Sequence, residues 1–567
     1  MMPQPAMPLA ADQLLRSPPV PVALGVWDGH DAGAAVVVGG QLVAAVSEER
    51  LTRCKRQGGW PALALEAALE VAAIAPQDVA AVAVAGRFGR SPARWLNRNY
   101  ARRDPKTIDP LALDSQAFAA LQTHIAAAPL LRHWEQQLGA VPLRTPLRRH
   151  GLHGKPLVLV DHHRAHAHAA APLLHGDGVV VTWDGYGDGV ALAIWQWRTG
   201  RLLRVAAHGP TASLALLYGA ATRVLGFAEG EEGKLTGLAA MGRCDGPFAP
   251  DVQAVVRAHG AHCAVDLRLG VQALRRAMAL GCRPADLAAA VQSAVVAAAS
   301  AVIAAVLHQT GATRLAVAGG LFANVALNGA LAQLPQLVEF AVCPAMGDQG
   351  LCVGAALTLS QPPAGPTLQN WRLGPEIRGD CPDPAAVALA LARGHFVGVA
   401  RGRMEFGPRA LGARSILADP RQAAHATALN DRLRRNDFMP FAPLILAEQW
   451  AAAFALDPAR APHACRHMVL ALPTTSAFAR QAPAVVHCDG TARPQRVDAA
   501  TDPWLHAVLQ QFFALTGCPA LLNTSLNRHG EPIVATAAQA IACGQGVGLD
   551  SVVVGAEWVP VARPLLA

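Results

Sequence analysis

A pattern of strands and turns occurs twice in the N-terminal half of this 567-residue chain. Each copy begins with an apolar strand that ends in an acidic, glycine-containing turn, at 28–31 in the first copy and at 184–189 in the second. Two further strands follow each turn as a meander, and the first copy continues into a helix over residues 60–74. The repeat predicts two equivalent α/β halves whose acidic turns face each other across a cleft.

This order of elements is typical of a duplicated actin-like, ribonuclease-H-like fold, in which the two turns border a nucleotide. Glycines in such turns let the backbone approach phosphate groups, and we expect Asp184 to belong to this nucleotide site. A third loop, 315–324, runs from a strand through Gly319 and Gly320 towards a helix, which favours a phosphate or nucleoside at the helix N-terminus. Simple turn chemistry is the alternative interpretation of that loop.

Changes in composition divide the chain, which is too long for one compact domain. Residues 1–20 are Pro-rich and are predicted to form a loose arm. Residues 90–150 are rich in Arg, Pro and His and predict an insertion with short helices, and a second Pro-rich stretch at 361–386 predicts a linker. The predicted fold class is a duplicated α/β domain over 21–360 and a smaller α/β or α+β domain over 387–567.

Four histidines lie within seven positions, a density that predicts a metal site. If the segment begins a helix, His162 and His166 are four residues apart on one face and can bind a single ion. Asp348, in a loop before an Ala-rich helix, is the third candidate ligand, and two histidines with one carboxylate suit a divalent iron or zinc. His163 and His168 leave competing ligand sets open, and surface or helix-capping histidines are the alternative.

Beyond the linker, polar residues stand beside apolar strands, where the walls of a site commonly form. Arg409 and Arg414 lie five apart in a loop rich in Gly and Pro and can offer rigid bidentate donors to a phosphate. The segments 487–493 and 522–527 are further polar sets of this kind. Solvated ion pairs on the surface are the alternative for each arginine.

Composition restricts the partners of the protein. The formal net charge of +8 permits an anionic ligand, but the basic residues form no long run, so nucleic acid is not an expected partner. The most apolar stretch, 285–307, is interrupted by Gln292, Ser293 and Ser300 and predicts a buried helix rather than a membrane span. Eleven cysteines without a C-x-x-C pair, and an N-terminus without a signal pattern, predict a cytoplasmic protein with reduced thiols.

The longer motifs resemble those of the O-carbamoyltransferase family of antibiotic and nodulation-factor biosynthesis, and the likeness covers nearly the whole chain. The resemblance implies an N-terminal domain similar to the actin-like catalytic domain of the tRNA threonylcarbamoyl-transferases. It implies a C-terminal domain similar to the threonylcarbamoyl-adenylate synthase. The motifs that carry it are His30-Asp31, Ser47-Glu48-Glu49-Arg50, Lys55, His162-His163-x-x-His166, Glu232–Ala239, Gly319-Gly320-x-x-x-Asn324, Glu405–Gly412, Pro440–Pro443 and Asn523-Thr524-Ser525-x-Asn527.

The resemblance implies a reaction in two steps. ATP, with Mg²⁺, and carbamoyl phosphate give carbamoyl-adenylate and pyrophosphate in the C-terminal domain. The carbamoyl group then passes to a hydroxyl of a small-molecule acceptor in the N-terminal domain, where a divalent metal, Fe²⁺, binds phosphate oxygens of the adenylate. The implied residues are Arg409, Arg414 and Arg493 as fixed cations, Asn523, Thr524 and Ser525 as neutral donors, Lys55 on the carbamoyl donor, His162, His166 and Asp348 on the metal, and Gly319, Gly320 and Asn324 on the nucleoside. His30, beside Asp31, is the candidate general base, and the alternatives for a histidine after a strand are a hydrogen bond to a phosphate or support of the turn.

Other classes of protein share parts of this pattern. A tRNA-modifying threonylcarbamoyl-transferase would use threonine and bicarbonate, but the fused second domain and the lack of a basic stripe argue against it. A non-catalytic actin-like nucleotide-binding protein is disfavoured by the histidine cluster and the C-terminal arginines. A metallopeptidase is weaker still, because no glutamate follows His162 to act as general base.

Overall fold

The computed structural model describes residues 21–87, 128–360, 371–435 and 441–561, with the isolated positions 117, 121 and 125. The predicted arm over residues 1–20 lies outside the described residues. So do parts of the predicted insertion and of the predicted linker.

The first copy of the repeat folds into a five-stranded sheet. Its strands are β1 Val22–Trp27, β2 Gly33–Val38, β3 Gln41–Ser47, β4 Ala81–Ala85 and β5 Leu157–Val160. Their order across the sheet is β3-β2-β1-β4-β5, with β1, β4 and β5 parallel and β2 antiparallel to both of its neighbours. These runs of Val and Ala form strands because helices cover both faces of the sheet, Ala62–Ala72 on one and Leu351–Thr358 on the other.

The second copy of the repeat has the same topology. Its strands are β6 Gly178–Gly187, β7 Val190–Arg198, β8 Arg201–His208, β9 Val256–His259, β10 His262–Val265, β11 Arg314–Ala318 and β12 Glu339–Val342. The order β8-β7-β6-β11-β12 reproduces that of the first sheet, with the same parallel and antiparallel pairs, and β9 and β10 form a separate hairpin. The predicted duplicated actin-like fold is therefore confirmed.

The second acidic turn is shorter than the sequence predicts. Strand β6 continues to Gly187 after an irregular stretch that begins at Trp183, and only Asp188 and Gly189 form the hairpin turn. Both have positive φ, 49° and 84°, as a two-residue hairpin loop requires. Asp184 consequently lies within a strand and not in a loop, which changes the direction in which its side chain points.

Helices surround the two sheets, and two of them, His162–Ala170 and Leu351–Thr358, contact each other between the sheets. The described part of the predicted insertion contains the expected short helices, Pro129–Gly139 and Arg144–Arg149. Pro284–Thr310 is the one described helix long and apolar enough to cross a bilayer, and 56% of its most apolar window is buried inside the protein. The other described helices of this domain are Glu48–Thr52, Leu214–Val224, Glu232–Ala239, Ala249–Ala254, Leu267–Ala279 and Val325–Ala332.

The C-terminal domain is built on a seven-stranded mixed sheet and two separate pairs of strands. The described strands of the domain are β13 Arg372–Ile377, β14 Val397–Ala400, β15 Gly402–Glu405, β16 Arg414–Ala418, β17 Ala442–Leu446, β18 Leu472–Pro473, β19 Thr491–Ala492, β20 Gln495–Val497, β21 Ala520–Ser525, β22 Ser551–Val554 and β23 Glu557–Pro560. The order is β20-β17-β21-β16-β14-β22-β23, while β13 pairs with β15 and β18 with β19. Its helices are Pro384–Ala392, Ala423–Leu433, Trp450–Ala453, Ser476–Gln481, Pro503–Thr516 and Ala537–Val547. Regular structure thus begins within the stretch predicted as a linker.

The two domains share one hydrophobic core. Buried side chains of the second sheet and of the C-terminal sheet belong to a single contiguous cluster. Backbone and side-chain hydrogen bonds cross the junction, including Ala471 N–H to the carbonyl of Val325 and Asn328 Nδ2 to the carbonyl of Val469, both at 2.8 Å. This packing joins the two domains over a continuous interface.

Candidate metal centre and anion cleft

The helix His162–Ala170 carries two of the predicted metal ligands at its start. Asp161 caps the helix through its side chain, and the carboxylate of Asp188 accepts a hydrogen bond from the backbone N–H of His162 at 2.8 Å. The helix predicted for this segment is confirmed, and His162 and His166 project from one of its faces.

Four side chains converge at this helix. The Nε2 atoms of His162 and His166 each lie 3.1 Å from Oδ2 of Asp184. The Oδ1 atom of Asp348 lies 3.5 Å from Nε2 of His162 and 3.6 Å from Nε2 of His166. One ligand atom from each of the four lies within 4.8 Å of all the others. The three predicted ligands come together in this histidine–aspartate cluster, and Asp184, which the sequence pattern assigned to the nucleotide, is its fourth member.

The donor set of this cluster fits a divalent transition metal, because imidazole nitrogens and carboxylate oxygens suit Fe²⁺ or Zn²⁺. The histidines and aspartates of the cluster also stabilise each other's charged forms. Although burial opposes the shift, the attraction of Asp348 and Asp184 raises the pKa of His162 to about 9. Burial is likewise outweighed at Asp184, whose hydrogen bonds to His162 and His166 hold its pKa well below the usual value. A divalent cation would take the place of protons on these imidazoles.

Two glycines make room for the cluster. A Cβ atom at Gly187 would lie 2.3 Å from ring atoms of His162, and one at Gly320 would lie 2.7 Å from Oδ1 of Asp184. Gly320 was predicted to let the backbone approach a nucleoside. In the structure it lets the backbone approach a candidate metal ligand.

His30 stands at the mouth of the cluster, with 48% of its side chain exposed. Its Nε2 lies 3.2 Å from Oδ2 of Asp348, and its Nδ1 lies 2.9 Å from Oδ2 of Asp31. The attraction of Asp348 raises the pKa of His30 to about 9. The predicted role of His30 as general base therefore requires that the charge of Asp348 be neutralised, as a bound cation would do.

The other two histidines of the segment lie away from the cluster. Nδ1 and Nε2 of His163 hydrogen-bond Oγ1 of Thr182 and the carbonyl of Val190, both at 2.9 Å, and burial lowers its pKa to about 4. Burial lowers the pKa of His168 to about 3. The competing ligand sets do not form among the described residues.

Asn324 and Gly319, the other predicted nucleoside contacts, have structural partners. The Asn324 side chain accepts from the N–H of Leu327 and exchanges two hydrogen bonds with Gln292, at 2.9 and 3.0 Å, so its amide is occupied. At Gly319, with φ of 110°, a Cβ atom would lie 2.3 Å from the carbonyl oxygen of Trp183. Gly319 therefore serves the close approach of β11 to β6.

Three partly buried arginines meet in the C-terminal domain: Arg409, Arg435 and Arg493, which we call the arginine cluster. Burial lowers the pKa of Arg409 to about 10, and burial with the charge of Arg409 does the same for Arg435. Burial and both neighbouring charges hold the pKa of Arg493 well below its usual value. The Nε atoms of Arg409 and Arg493 have no hydrogen-bond partner among the described residues. Cations held together in this way form a site for an anion.

The loop that carries Arg409 is organised around Glu405. The buried Oε1 atom of Glu405 accepts hydrogen bonds from the N–H groups of Leu411 at 2.8 Å and Ala413 at 2.6 Å. In the same loop, the backbone of Gly407 packs against Pro344. A Cβ atom on residue 407 would lie 3.1 Å from the carbonyl oxygen of Pro344. Pro344 belongs to the loop that carries Asp348, so the loops of the two sites touch.

The predicted residues of β21 lie beside the arginine cluster. Thr524 accepts a hydrogen bond from Arg435 at 3.0 Å, and Asn523 donates to the carbonyl of Ala410 at 2.9 Å, next to Arg409. Ser525 follows them at the end of the strand. Thr524 thus reaches the cluster directly, and Asn523 positions its loop.

Arg414 does not join Arg409, and the prediction that they bind one phosphate together is not met. The Arg414 side chain is fully buried, and its guanidinium donates to backbone carbonyls, among them those of Arg401 at 2.9 Å and Ala413 at 2.8 Å. The reason is its position on β16, a strand inside the sheet, where its side chain points into the protein.

Lys55 is exposed at the junction of the domains. The neighbouring Arg53 donates to the carbonyls of Pro532 and Ile533 at 2.6 and 2.7 Å, which docks this segment on the C-terminal domain. Partial burial and the charges of Lys234 and Lys55 lower the pKa of His529. Lys55 therefore lies near the cleft and outside the arginine cluster.

Two residues that shape the sites, Asp188 and Arg435, were not predicted from the sequence. Asp188, which holds the start of the ligand-bearing helix, belongs to the acidic turn and could have been found there. Arg435 follows the helix Ala423–Leu433 in a run of charged residues that has the pattern of a solvated surface. No local signal distinguishes Arg435 from its neighbours.

The fold and the two sites define a two-domain α/β protein whose actin-like domain offers a metal-ligand set and whose second domain offers an anion cleft. Two family models match it: one described as the N-terminus of carbamoyltransferases over residues 23–357, and one described as their C-terminus over residues 388–560. The chain belongs to the carbamoyltransferase family, and it is an enzyme that transfers carbamoyl groups.

Relatives of known name extend along most of the chain. Nodulation protein NolNO of Sinorhizobium fredii is 30% identical, over 94% of this chain and 79% of that protein. Nodulation protein NolO of Bradyrhizobium diazoefficiens is 32% identical, over 70% and 78%. The 3'-hydroxymethylcephem-O-carbamoyltransferase of Streptomyces clavuligerus is 29% identical, over 70% and 79%.

Proposed function

We propose that the protein is an ATP-dependent O-carbamoyltransferase that forms carbamoyl-adenylate and passes its carbamoyl group to a hydroxyl of a small molecule. The arginine cluster carries the proposal for the first step. Carbamoyl phosphate and ATP bring several negative charges into one cleft, and three cations without a described acidic partner suit them. Thr524 and Ser525 add neutral donors, and Lys55 adds an exposed cation at the junction of the domains.

The first step balances if inorganic phosphate leaves carbamoyl phosphate by hydrolysis. The resulting carbamate oxygen then attacks the α-phosphorus of ATP, and pyrophosphate departs. Arg409 and Arg493 hold the phosphates in place, and their fixed charges stabilise the pentacoordinate phosphorus. We expect Mg²⁺ to accompany ATP.

The second step belongs to the histidine–aspartate cluster. A divalent metal, which we propose is Fe²⁺, would be held by His162, His166, Asp184 and Asp348 and would supply Lewis-acid stabilisation of the departing phosphate oxygen. His30 accepts the proton of the acceptor hydroxyl once the charge of Asp348 is shared with a cation. The hydroxyl oxygen attacks the carbamoyl carbon, and AMP leaves. Contact between the Gly407 and Pro344 loops supports passage from one site to the other. A cytoplasmic location, where ATP is available, is part of the proposal.

The test is release of phosphate and pyrophosphate with and without carbamoyl phosphate, with mass spectrometry for carbamoyl-adenylate. The wild type and His166→Ala are expected to release both products only when carbamoyl phosphate is present. Arg493→Gln is expected to lose that release, whereas the control Arg496→Gln retains it, because Arg496 pairs with Asp498 at 3.4 Å and not with the cluster. Pyrophosphate release by the wild type that ignores carbamoyl phosphate would overturn the proposal and make threonine with bicarbonate the next donor to test.

A further inference from the structure

The motif Ser47-Glu48-Glu49-Arg50 begins a segment that the proposed function uses only through Lys55. The segment consists of the helix Glu48–Thr52 and an irregular stretch that extends to residue 59. Arg53 ends the helix in the left-handed conformation, with φ of 63°. We call residues 48–59 the junction segment, because they contact both domains.

On one side, the junction segment is bonded to the turn that carries His30. The N–H of Ala32 donates to the carbonyl of Gln57 at 2.8 Å, and the N–H of Gly59 donates to the carbonyl of Asp28 at 3.0 Å. These two bonds hold the turn on either side of His30. The position of His30 therefore depends on the position of the junction segment.

On the other side, Arg50 reaches the C-terminal domain. Its side chain is buried, and its Nη2 donates to the carbonyl of Gly407 at 2.7 Å. Gly407 shares a loop with Arg409 of the arginine cluster. The backbone of Gly407 packs against Pro344, which belongs to the loop that carries Asp348. Arg50 is thus bonded to the point at which the loops of the two sites touch.

The guanidinium of Arg50 has few partners for a buried cation. Its Nη1 has no hydrogen-bond partner among the described residues, and its Nε lies 3.8 Å from Oε1 of Glu49. The buried guanidinium of Arg414, by contrast, donates to several carbonyls. A buried cation with an unused donor stabilises a fold less than a well-packed apolar side chain of similar volume would. This favours a role for Arg50 in function over a role in stability.

We propose that the junction segment couples the two sites and that Arg50 is its positioning residue, so that carbamoyl-adenylate passes between the sites without escaping into solvent. This inference rests on the proposed function. Passage requires that the touching loops stay in register, because a displacement of about 1 Å can cost on the order of 100-fold in rate. Through the junction segment, the bond to Gly407 also links this contact to the turn of His30. Arg50 acts through these loops.

The test measures how much carbamoyl-adenylate leaves the full-length protein. The protein is supplied with ATP and carbamoyl phosphate without an acceptor and is then removed by centrifugal filtration. Mass spectrometry of the filtrate gives the escaped carbamoyl-adenylate per pyrophosphate released. Arg50→Gln is expected to raise this ratio by about tenfold or more, while pyrophosphate release stays near the wild-type rate. Arg50→Lys, which keeps the charge and a donor, is expected to restore most of the retention.

Arg403→Gln is the matched control. Arg403 also crosses the junction of the domains, since it donates to the carbonyl of Val43 at 2.6 Å, and its other described hydrogen bond is to the carbonyl of Leu373. Neither acceptor belongs to the touching loops. Arg403→Gln should therefore retain the adenylate as the wild type does. An equal escape from Arg403→Gln would mean that any loosening of the junction releases the adenylate, and it would overturn the proposal.

Arg53→Gln tests the same segment at a position whose side chain is 26% exposed. It removes two hydrogen bonds to the carbonyls of Pro532 and Ile533, so the escape ratio should rise by about threefold. Wild-type retention in a folded Arg50→Gln overturns the proposal. If Arg50→Gln does not fold, wild-type retention in Arg53→Gln overturns it.

The wild type separates this inference from the function on which it rests. A wild type that releases pyrophosphate only with carbamoyl phosphate, but loses its adenylate to the filtrate as freely as Arg50→Gln does, keeps the function and overturns the coupling. A wild type without carbamoyl-dependent pyrophosphate release contradicts the function itself.

Discussion

The histidine–aspartate cluster and the arginine cluster bury charge in opposite ways. In the first, imidazoles face carboxylates at 3.1 to 3.6 Å, and the pKa of His162 rises while that of Asp184 falls. In the second, burial lowers the pKa of all three guanidinium groups, the charge of Arg409 lowers those of Arg435 and Arg493 further, and no described carboxylate pairs with them. The first cluster is stable as it stands, whereas the second becomes favourable only when an anion binds.

This difference indicates that the first site binds a cation and the second binds an anion. Opposite charges that already pair hold their geometry, and a cation can displace their protons with little rearrangement. Like charges in a partly buried cleft raise the free energy of the folded protein until a ligand compensates them. Four predictions test the comparison, from the largest expected effect to the smallest.

Loss of one carboxylate should separate the two sites most clearly. Asp348→Asn removes the charge shared by the ligands and His30, so we expect carbamoyl transfer to fall by on the order of 100-fold or more. Pyrophosphate release should remain near the wild-type rate. Metal analysis of the purified variant should show less bound metal, with Asp177→Asn as the surface control. Unchanged transfer and metal content would remove this cluster from the reaction.

Arg414 offers the contrast of a buried arginine whose donors are satisfied. Arg414→Gln leaves several buried carbonyls without a donor, so the free energy of unfolding should fall by about 3 kcal/mol. Urea unfolding measures this change. A stability equal to that of the wild type would mean that the backbone carbonyls find other partners.

Arg493 should behave in the opposite way. Arg493→Gln relieves repulsion, so the unliganded protein should keep its stability to within about 0.5 kcal/mol or gain some. Pyrophosphate at about 100 times its Kd should stabilise the wild type by about 2.7 kcal/mol and the variant far less. Thermal unfolding with increasing pyrophosphate tests both parts, with Arg496→Gln as control. If Arg493→Gln were strongly destabilised and pyrophosphate still raised its stability, Arg493 would be a structural residue like Arg414, and the prediction would be wrong.

His463 shows a third way to bury a titratable group, which is to keep it neutral. Burial and the charges of His467 and His175 lower its pKa to about 3. Below about pH 6.5 the unfolded chain takes up a proton that the folded protein does not, so stability falls as the pH falls. Between pH 7 and pH 5.5 the wild type should lose about 1 kcal/mol more than His463→Gln in urea unfolding. Equal losses would show that His463 is protonated in the folded protein.

Local patterns carried much of the prediction. The strands of both sheets and the helix of His162 and His166 follow from spacing along the chain, and spacing also singled out the two histidines that meet Asp184 and Asp348 in the structure. Arg409 and Arg414 show the limit, because both belong to one motif and only the strand β16 turns Arg414 into the core. Asp184 shows the same limit, since an irregular strand pairing directs it to the ligands.

By itself the sequence determined the duplicated topology, the ligand-bearing helix and the presence of a second domain with a basic motif. These depend on apolar periodicity, turn residues and i,i+4 spacing, which act between near neighbours. Only the tertiary structure decided that Asp184 joins Asp348 and the two histidines, and that Arg435 completes the arginine cluster. These contacts depend on how the sheets and helices pack against each other. That packing minimises the free energy of contacts between segments far apart in sequence, and a local sequence pattern holds no information about such contacts.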